Sequence, residues 1–251
     1  MAVASLEDHE RRPLLTQLRV SRALSILWIP IFSGVMLAAM RWRWEGAREV
    51  RREYARLRES SDAPVLICAN HLTMFDSFAI GWALGSVGTY LRHFHWLPWN
   101  TPEEVNFAST WWKRALVYLL KCVPVKRGSD RAAVAKTLDK VAFLLRRGES
   151  VLIFPEGGRS RTGRVDTESA AYGVGRLVSQ VPGCRVFCVY LRGRSQQSWS
   201  ESPPRGEVFD VTASSLEPKS ERGGLRGSVE ISKQIVNRIA EMEERYFDDR
   251  K

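Results

Sequence analysis

Paired cysteines are missing from this 251-residue sequence, which holds Cys68, Cys122, Cys184 and Cys188 and no Cys-x-x-Cys among them. Isolated cysteines inside apolar runs support neither a zinc site nor a disulfide framework, and they fit a reduced, cytosolic compartment. Histidine is scarce too, with four residues. His93 and His95 alternate as on one face of a strand, with no Cys, Asp or Glu cluster beside them, and read as packing or surface residues. No metal site is expected. There is no Gly-x-Ser-x-Gly turn to carry a serine-hydrolase nucleophile, no nucleic-acid-binding signature and no internal repeat. Negative charge is also short: 28 Asp and Glu against 38 Lys and Arg leave a formal net charge of +10. Such a balance calls for an anionic partner, a phospholipid surface, a phosphorylated substrate or an acidic carrier protein. Nucleic acid is not expected, because the arginines gather around an apolar run.

With 44% hydrophobic and 26% charged residues the chain is a folded globular protein able to bury one substantial core. Residues 23–40 carry no charge, about 18 residues or roughly 27 Å as a helix, the lower limit for crossing a bilayer core. The run starts late and no small-residue cleavage site accompanies it, so a cleaved signal peptide is not expected. Pro30 and Gly34 interrupt it. Arginines flank both ends, Arg19 and Arg22 before and Arg41 and Arg43 after, where a single span would show a one-sided bias. A kinked or re-entrant hairpin with both ends cytosolic fits this pattern at least as well as a span, with Trp28, Trp42 and Trp44 at headgroup level; the other reading of the run is a buried core helix. The expected partition is a membrane-associating helical segment over 1–60 and an α/β domain over 61–251, placed at the cytoplasmic face of the cell membrane through residues 23–44.

From residue 64 strand and helix signals alternate. Val65–Ala69, Val151–Phe154 and Val186–Leu191 read as buried strands, and Ser77–Leu84 as a helix. Val134, Leu138, Val141 and Leu145 mark another helix, capped by Ser129 or Asp130 and closed by Gly148. Residues 195–228, rich in Ser, Pro, Gly and charge, read as a long surface loop, and a last helix follows Ser228. The order predicts one mixed, largely parallel sheet flanked by helices.

Asn70-His71-Leu72-Thr73-Met74-Phe75-Asp76 follows the first buried strand, where open α/β sheets place their ligands. Five residues apart on one helix, His71 and Asp76 would point about 140° from each other; a strand-to-helix turn lets them meet. An Asp bonded to Nδ1 fixes the imidazole tautomer and leaves Nε2 as a general base. Phe154-Pro155-Glu156-Gly157-Gly158-Arg159-Ser160 follows the second strand. Its glycines expose backbone N–H groups to an anion, Arg159 adds a donor fork, and Glu156 reads as orienting Arg159 or a substrate hydroxyl.

Together NHLTMFD and FPEGGRS resemble the glycerolipid acyltransferases of the lysophosphatidic-acid (1-acyl-glycerol-3-phosphate) acyltransferase, PlsC-like, type. Cys122–Gly128, with Arg127, is similar to that family's third block and Val186–Leu191 to its fourth; the likeness spans roughly residues 62–195. The resemblance implies an O-acyltransferase that moves a fatty acyl group from a thioester to a lysophospholipid hydroxyl without an acyl-enzyme. His71 would be the base and Asp76 its orienting partner. Arg127, Glu156, Gly157 and Arg159, with Asn70 and Thr73, would bind the acceptor. The donor would be acyl-CoA or acyl-carrier protein, and no cofactor is implied. Gly158 replaces the family's usual Thr, Cys188 its usual Pro, and Ala171-Tyr172-Gly173 lacks a customary lysine. These departures leave open another acceptor, a lyso-aminolipid or specialised secondary lipid, and an inactive lipid-binding relative. The aromatic stretch 92–112 matches no block.

Overall fold

The computed structural model describes residues 6–103, 110–125 and 131–250. A single six-stranded sheet runs in the order β1 (Arg43–Glu45), β6 (Val208–Leu216), β5 (Arg185–Gly193), β2 (Val65–Ala69), β4 (Val151–Ile153), β3 (Trp99–Asn100). All neighbours are parallel except β5 and β6. Every residue of β2 is buried, so its side chains feed two cores in turn. Val65, Ile67 and Ala69 pack with Trp28, Tyr54, Ile80 and Phe187 on one face, and Leu66 and Cys68 with Val141, Leu145, Leu177 and Ile235 on the other. Period-two alternation with both faces covered explains why the strand reads as a continuous apolar run.

Among the described residues the α-helices are α1 (Asp8–Gly34), α2 (Ala47–Glu59), α3 (Asp76–Leu84), α4 (Val87–Arg92), α5 (Trp111–Leu119), α6 (Arg131–Arg146), α7 (Tyr172–Gln180) and α8 (Gly224–Asp248). In α6 Leu138, Val141 and Leu145 face the core, and Gly148 beyond it takes φ +79, a left-handed turn residue. The proposed caps Ser129 and Asp130 lie outside the described residues.

Three expectations are corrected. Residues 23–40 form no hairpin: α1 continues through Pro30 and passes into a π-helical turn over Val35–Ala39. Pro30 and the carbonyl it would have bonded, on Ile26, both lie on the exposed side, where a missing bond distorts least. Trp28 and Trp42 are core residues, 8% and 2% exposed, and Trp44 stacks on Phe209. The stretch 195–228 contains β6, antiparallel to β5 along its length, and α8 begins at Gly224, before Ser228. In β6 the buried Phe209 and Val211 alternate with polar residues, a half-buried pattern too short to stand out. Arg43–Glu45, inside the stretch 1–60, pairs with β6 and so belongs to the sheet.

The aromatic stretch is core as well. Trp96 and Trp99 are buried, and Lys121, wholly buried, reaches into this region. Its Nζ donates to the carbonyls of Phe94 and Leu97 and to Glu149 Oε2, the last at 2.7 Å. Trp99 Nε1 donates to the same carboxylate oxygen at 2.9 Å. Burial pulls the Lys121 ammonium below its ordinary pKa, and Glu149 works against that pull.

Candidate active site

β2 and β4 are adjacent and parallel, with Cys68 beside Ile153. Their carboxyl ends therefore release the two motif loops side by side, although more than 80 residues separate them in sequence. The loops are stitched together. Ser160 N–H donates to the His71 carbonyl at 2.9 Å, and His71 N–H donates to Glu156 Oε1 at 3.3 Å.

After β2 the backbone turns, and Asp76 opens α3. Its Oδ2 lies 3.0 Å from His71 Nδ1 and accepts the N–H groups of Leu72 at 2.6 Å and Thr73 at 2.8 Å. Oδ1 accepts from Thr73 Oγ1 at 2.6 Å. A carboxylate at a helix start, saturated by four donors, is held in one orientation. The His71 ring stacks on Phe154, centroids 3.9 Å apart and planes 11° from parallel, which fixes the imidazole plane. The imidazole thus has Nδ1 committed to Asp76 while its side chain lines a cavity of about 380 Å³.

Other sequence-selected residues fall in several places. Asn70 is 2% exposed and turns to β5: its amide donates to the Leu191 carbonyl and accepts the Leu191 N–H, at 2.9 and 2.8 Å. It brackets the loop to the sheet. Thr73 is buried behind Asp76. Glu156 does not engage Arg159; its two oxygens accept the backbone N–H groups of His71 and Asp166. Burial raises its carboxyl to about 7, against the lowering effect of those two bonds. Gly157 has φ +73, a left-handed conformation that closes the turn onto the Phe154 carbonyl. Arg159 lines the cavity. Arg127 lies outside the described residues.

The sequence reading missed several wall residues. Trp199 borders the cavity with the guanidinium of Arg159 at 4.9 Å and that of Arg161 at 5.8 Å from its ring centre. The Trp199 loop is tied to the His71 loop, since Ser200 N–H donates to the Leu72 carbonyl and Met74 N–H to that of Glu201. Buried Arg192 links the Gly163 carbonyl to those of Gln196 and Gln197, so the arginine loop and the Trp199 loop share one anchor. The run Arg159, Arg161, Arg164 was a sequence signal for an anion site; Trp199 carried none. Leu116, Val117, Leu120 and Cys122 form another wall. Ser77, Phe78, Asn100, Leu120 and Cys122 also line a second, mostly apolar cavity of about 90 Å³, which runs beneath Trp28 and Phe32 of α1 and Met36 of the π-helical turn. Among the described residues no group of three or more His, Cys, Asp or Glu is arranged to hold a metal.

Comparison with known families gives one match, to the acyltransferase family, over residues 43–192. The chain belongs to the acyltransferase family. The match takes in both motif loops and the strands that release them, and it begins at β1, so the acyltransferase domain includes residues that precede the apparent change of pattern at residue 64. No curated protein matches the chain. For an acyltransferase the arrangement is chemically coherent: a cavity lined by His71, an arginine-rich rim and an adjoining apolar pocket meet at the ends of β2 and β4.

Proposed function

We propose that the protein transfers a fatty acyl group from a thioester, acyl-CoA or acyl-carrier protein, to the free hydroxyl of a lysophospholipid. Lysophosphatidic acid (1-acyl-glycerol-3-phosphate) is the favoured acceptor. The observation that carries this reading is the 3.0 Å contact between His71 Nδ1 and Asp76 Oδ2 at the wall of an arginine-rimmed cavity. With Nδ1–H donated to Asp76, Nε2 is the basic nitrogen. It takes the acceptor's hydroxyl proton as that oxygen attacks the thioester carbonyl. The tetrahedral adduct collapses, the C–S bond breaks, and the departing thiolate recovers the proton from the imidazolium. Asp76 holds the ring and offsets its transient charge.

Arg159 and Arg161, with Arg127 and the turn at Glu156–Gly157, bind the acceptor phosphate; a planar guanidinium fork suits that ion. Asn70 and Thr73 contribute from behind, by fixing the loop and the carboxylate. The apolar pocket beneath α1 receives acyl chain. Helix α1 supports membrane attachment, placed at the cytoplasmic face, where thioester donors and a membrane-resident acceptor meet. A second acceptor class, another hydroxylated lipid such as a lyso-aminolipid, is favoured by Gly158, which lines the cavity without the side chain of the family's usual Thr.

The test is incubation of purified protein with membranes, a labelled acyl thioester and a panel of lyso-lipids. Transfer should be greatest to lysophosphatidic acid and nearly abolished in His71→Ala, since general-base catalysis supplies roughly 10²–10⁴ in rate. Equal activity in wild type and His71→Ala would overturn the assignment.

A further inference from the structure

The arginine rim of the His71 cavity is a turn fixed at both ends. Ser160 N–H donates to the His71 carbonyl, and Ser160 Oγ donates to the Arg164 carbonyl, which closes the turn that carries Arg161. At the far end the partner is Glu243 of α8. Its Oε2 accepts Val165 N–H and Arg164 Nε, each at 3.0 Å. Glu243 is 4% exposed and lies beyond residue 192, where the family match ends. No residue of α8 lines the cavity, yet the helix reaches the rim through this carboxylate.

The same turn is joined to the Trp199 loop. Arg192 Nη1 donates to the Gly163 carbonyl at 2.5 Å, and its Nη2 to the carbonyls of Gln196 and Gln197. The two loops meet backbone to backbone: Gly163 has φ +72, and a Cβ there would stand 2.6 Å from the Gln197 carbonyl oxygen. Arg159 Nη1 adds a 3.4 Å bond to the Ser200 carbonyl. Phe247, one turn along α8 from Glu243, lies against the guanidinium groups of Arg164 and Arg192, 4.1 and 4.9 Å from its ring centre. Neutralising Arg192 does not account for Glu243, because that pair is 3.9 Å apart while the shorter bonds of the carboxylate go to the turn. A buried carboxylate that accepts a loop's backbone N–H and its arginine holds that loop in one conformation.

We propose that Glu243 is a positioning residue for the acceptor: with Arg192 it clamps the Arg161 turn and the Trp199 loop into one rim, and so sets the affinity for an anionic lipid headgroup without touching it. The proposal rests on the acceptor reading given above for Arg159 and Arg161. The sign of the effect separates positioning from plain electrostatics. Removing a negative charge near an anion site tightens anion binding; releasing the rim weakens it.

The test is Glu243→Gln in the full chain, which keeps the side chain's shape and an oxygen for Val165 N–H. KM for short-chain lysophosphatidic acid should rise roughly tenfold, the loss of about one charge-assisted hydrogen bond, with kcat within about twofold of wild type. Calorimetric Kd for the same lipid should rise by the same factor. In an Arg159→Gln/Arg161→Gln background the substitution should add about twofold or less, since the groups it positions are gone. Hydrogen exchange should quicken across residues 160–166 and 194–200 together while β2 and β4 stay protected. Phe247→Ala, which changes no charge, should show the same pattern more weakly, and Glu244→Gln, exposed on the same helix, should match wild type. An unchanged or lower KM in Glu243→Gln, or full additivity with the arginine variants, would overturn the proposal. So would exchange that quickens over the whole sheet, which would reduce Glu243 to general stability. A wild type that acylates no lipid would refute the catalytic reading instead, and the calorimetric ratio would then decide the clamp.

Discussion

Replacing Asp76 by Asn isolates charge from geometry at this site. The carboxylate accepts four hydrogen bonds, and three converge on Oδ2, from His71 Nδ1 and the backbone N–H groups of Leu72 and Thr73. Two fixed backbone donors at that position admit only an oxygen, so the amide must place its oxygen there and its nitrogen at the Oδ1 position. The nitrogen then faces Thr73 Oγ1, which can accept as well as donate. The His71 ring thus keeps its Nδ1–H donor role and its stack on Phe154. What is lost, on the proposed mechanism, is the negative charge beside a developing imidazolium. At 3.0 Å and an effective dielectric of about 20 that interaction is worth at most about 5.5 kcal/mol. The amide dipole and the retained hydrogen bond recover part of it. The expected loss is therefore about 3–4 kcal/mol, or roughly 10²–10³ in kcat.

The assay is thiol release under saturating donor and lyso-lipid, beside a thermal melt of each variant. Asp76→Asn should fold, lose about 1–3 kcal/mol of stability for its weakened bonds, and retain more activity than His71→Ala. Thr73→Val, which removes the donor to Oδ1 and the acceptor of the Phe75 N–H, should be milder in kcat than Asp76→Asn. An Asp76→Asn enzyme within threefold of wild type would refute the reasoning, because the carboxylate would then have no part in stabilising the imidazolium.

Glu156, raised to about 7 by burial, is favoured in its protonated form on folding. Its stability contribution is present below the ordinary carboxyl value of 4.5 and is lost as pH rises through about 7, by at most about 3 kcal/mol. Melts between pH 5 and 8 should show this decline in wild type and a flatter profile in Glu156→Gln; parallel profiles would count against it. Trp199→Ala frees the Arg159 and Arg161 side chains it stacks with, and should raise the acceptor KM roughly threefold to tenfold with little change in kcat. A fall confined to kcat would place Trp199 in the chemistry instead. Lys121→Met leaves Glu149 buried beside Trp99 without its cation and should cost about 3–5 kcal/mol in denaturant unfolding, partly restored in Lys121→Met/Glu149→Gln. Wild-type stability in the single variant would show the pair to be dispensable.

The sheet and its two motif loops were legible because their signals are local. A buried strand followed by a polar turn is contiguous in sequence, and two such units in parallel neighbours must release their loops at the same edge. The bonds of Glu156 were not legible because its partners, the backbone N–H groups of His71 and Asp166, have no side-chain signature. Trp28 and Trp42 were misread because a tryptophan near a charged helix end looks the same in sequence whether it faces lipid or core. Strand β6 was hidden for a related reason: its buried alternation depends on β5 lying beside it, and the Ser, Pro and Gly around it dominate the composition.

The same division bears on substrate choice. The His71–Asp76 pair is assembled almost wholly by its own loop, with Phe154 and the Glu156 turn bracing it from the next strand. The cavity around it is walled by segments remote in sequence: α3 through Ser77 and Phe78, Asn100–Glu103 after β3, Leu116–Cys122, and the Trp199 loop. Substitutions in those walls alter the space and charge offered to an acceptor without touching the four bonds that hold the carboxylate. An acyltransferase built this way can change its acceptor while keeping its His71–Asp76 pair. Exchanging Trp199, Leu116 or Gly158 should therefore reorder activities across a lyso-lipid panel while every member of the panel stays dependent on His71.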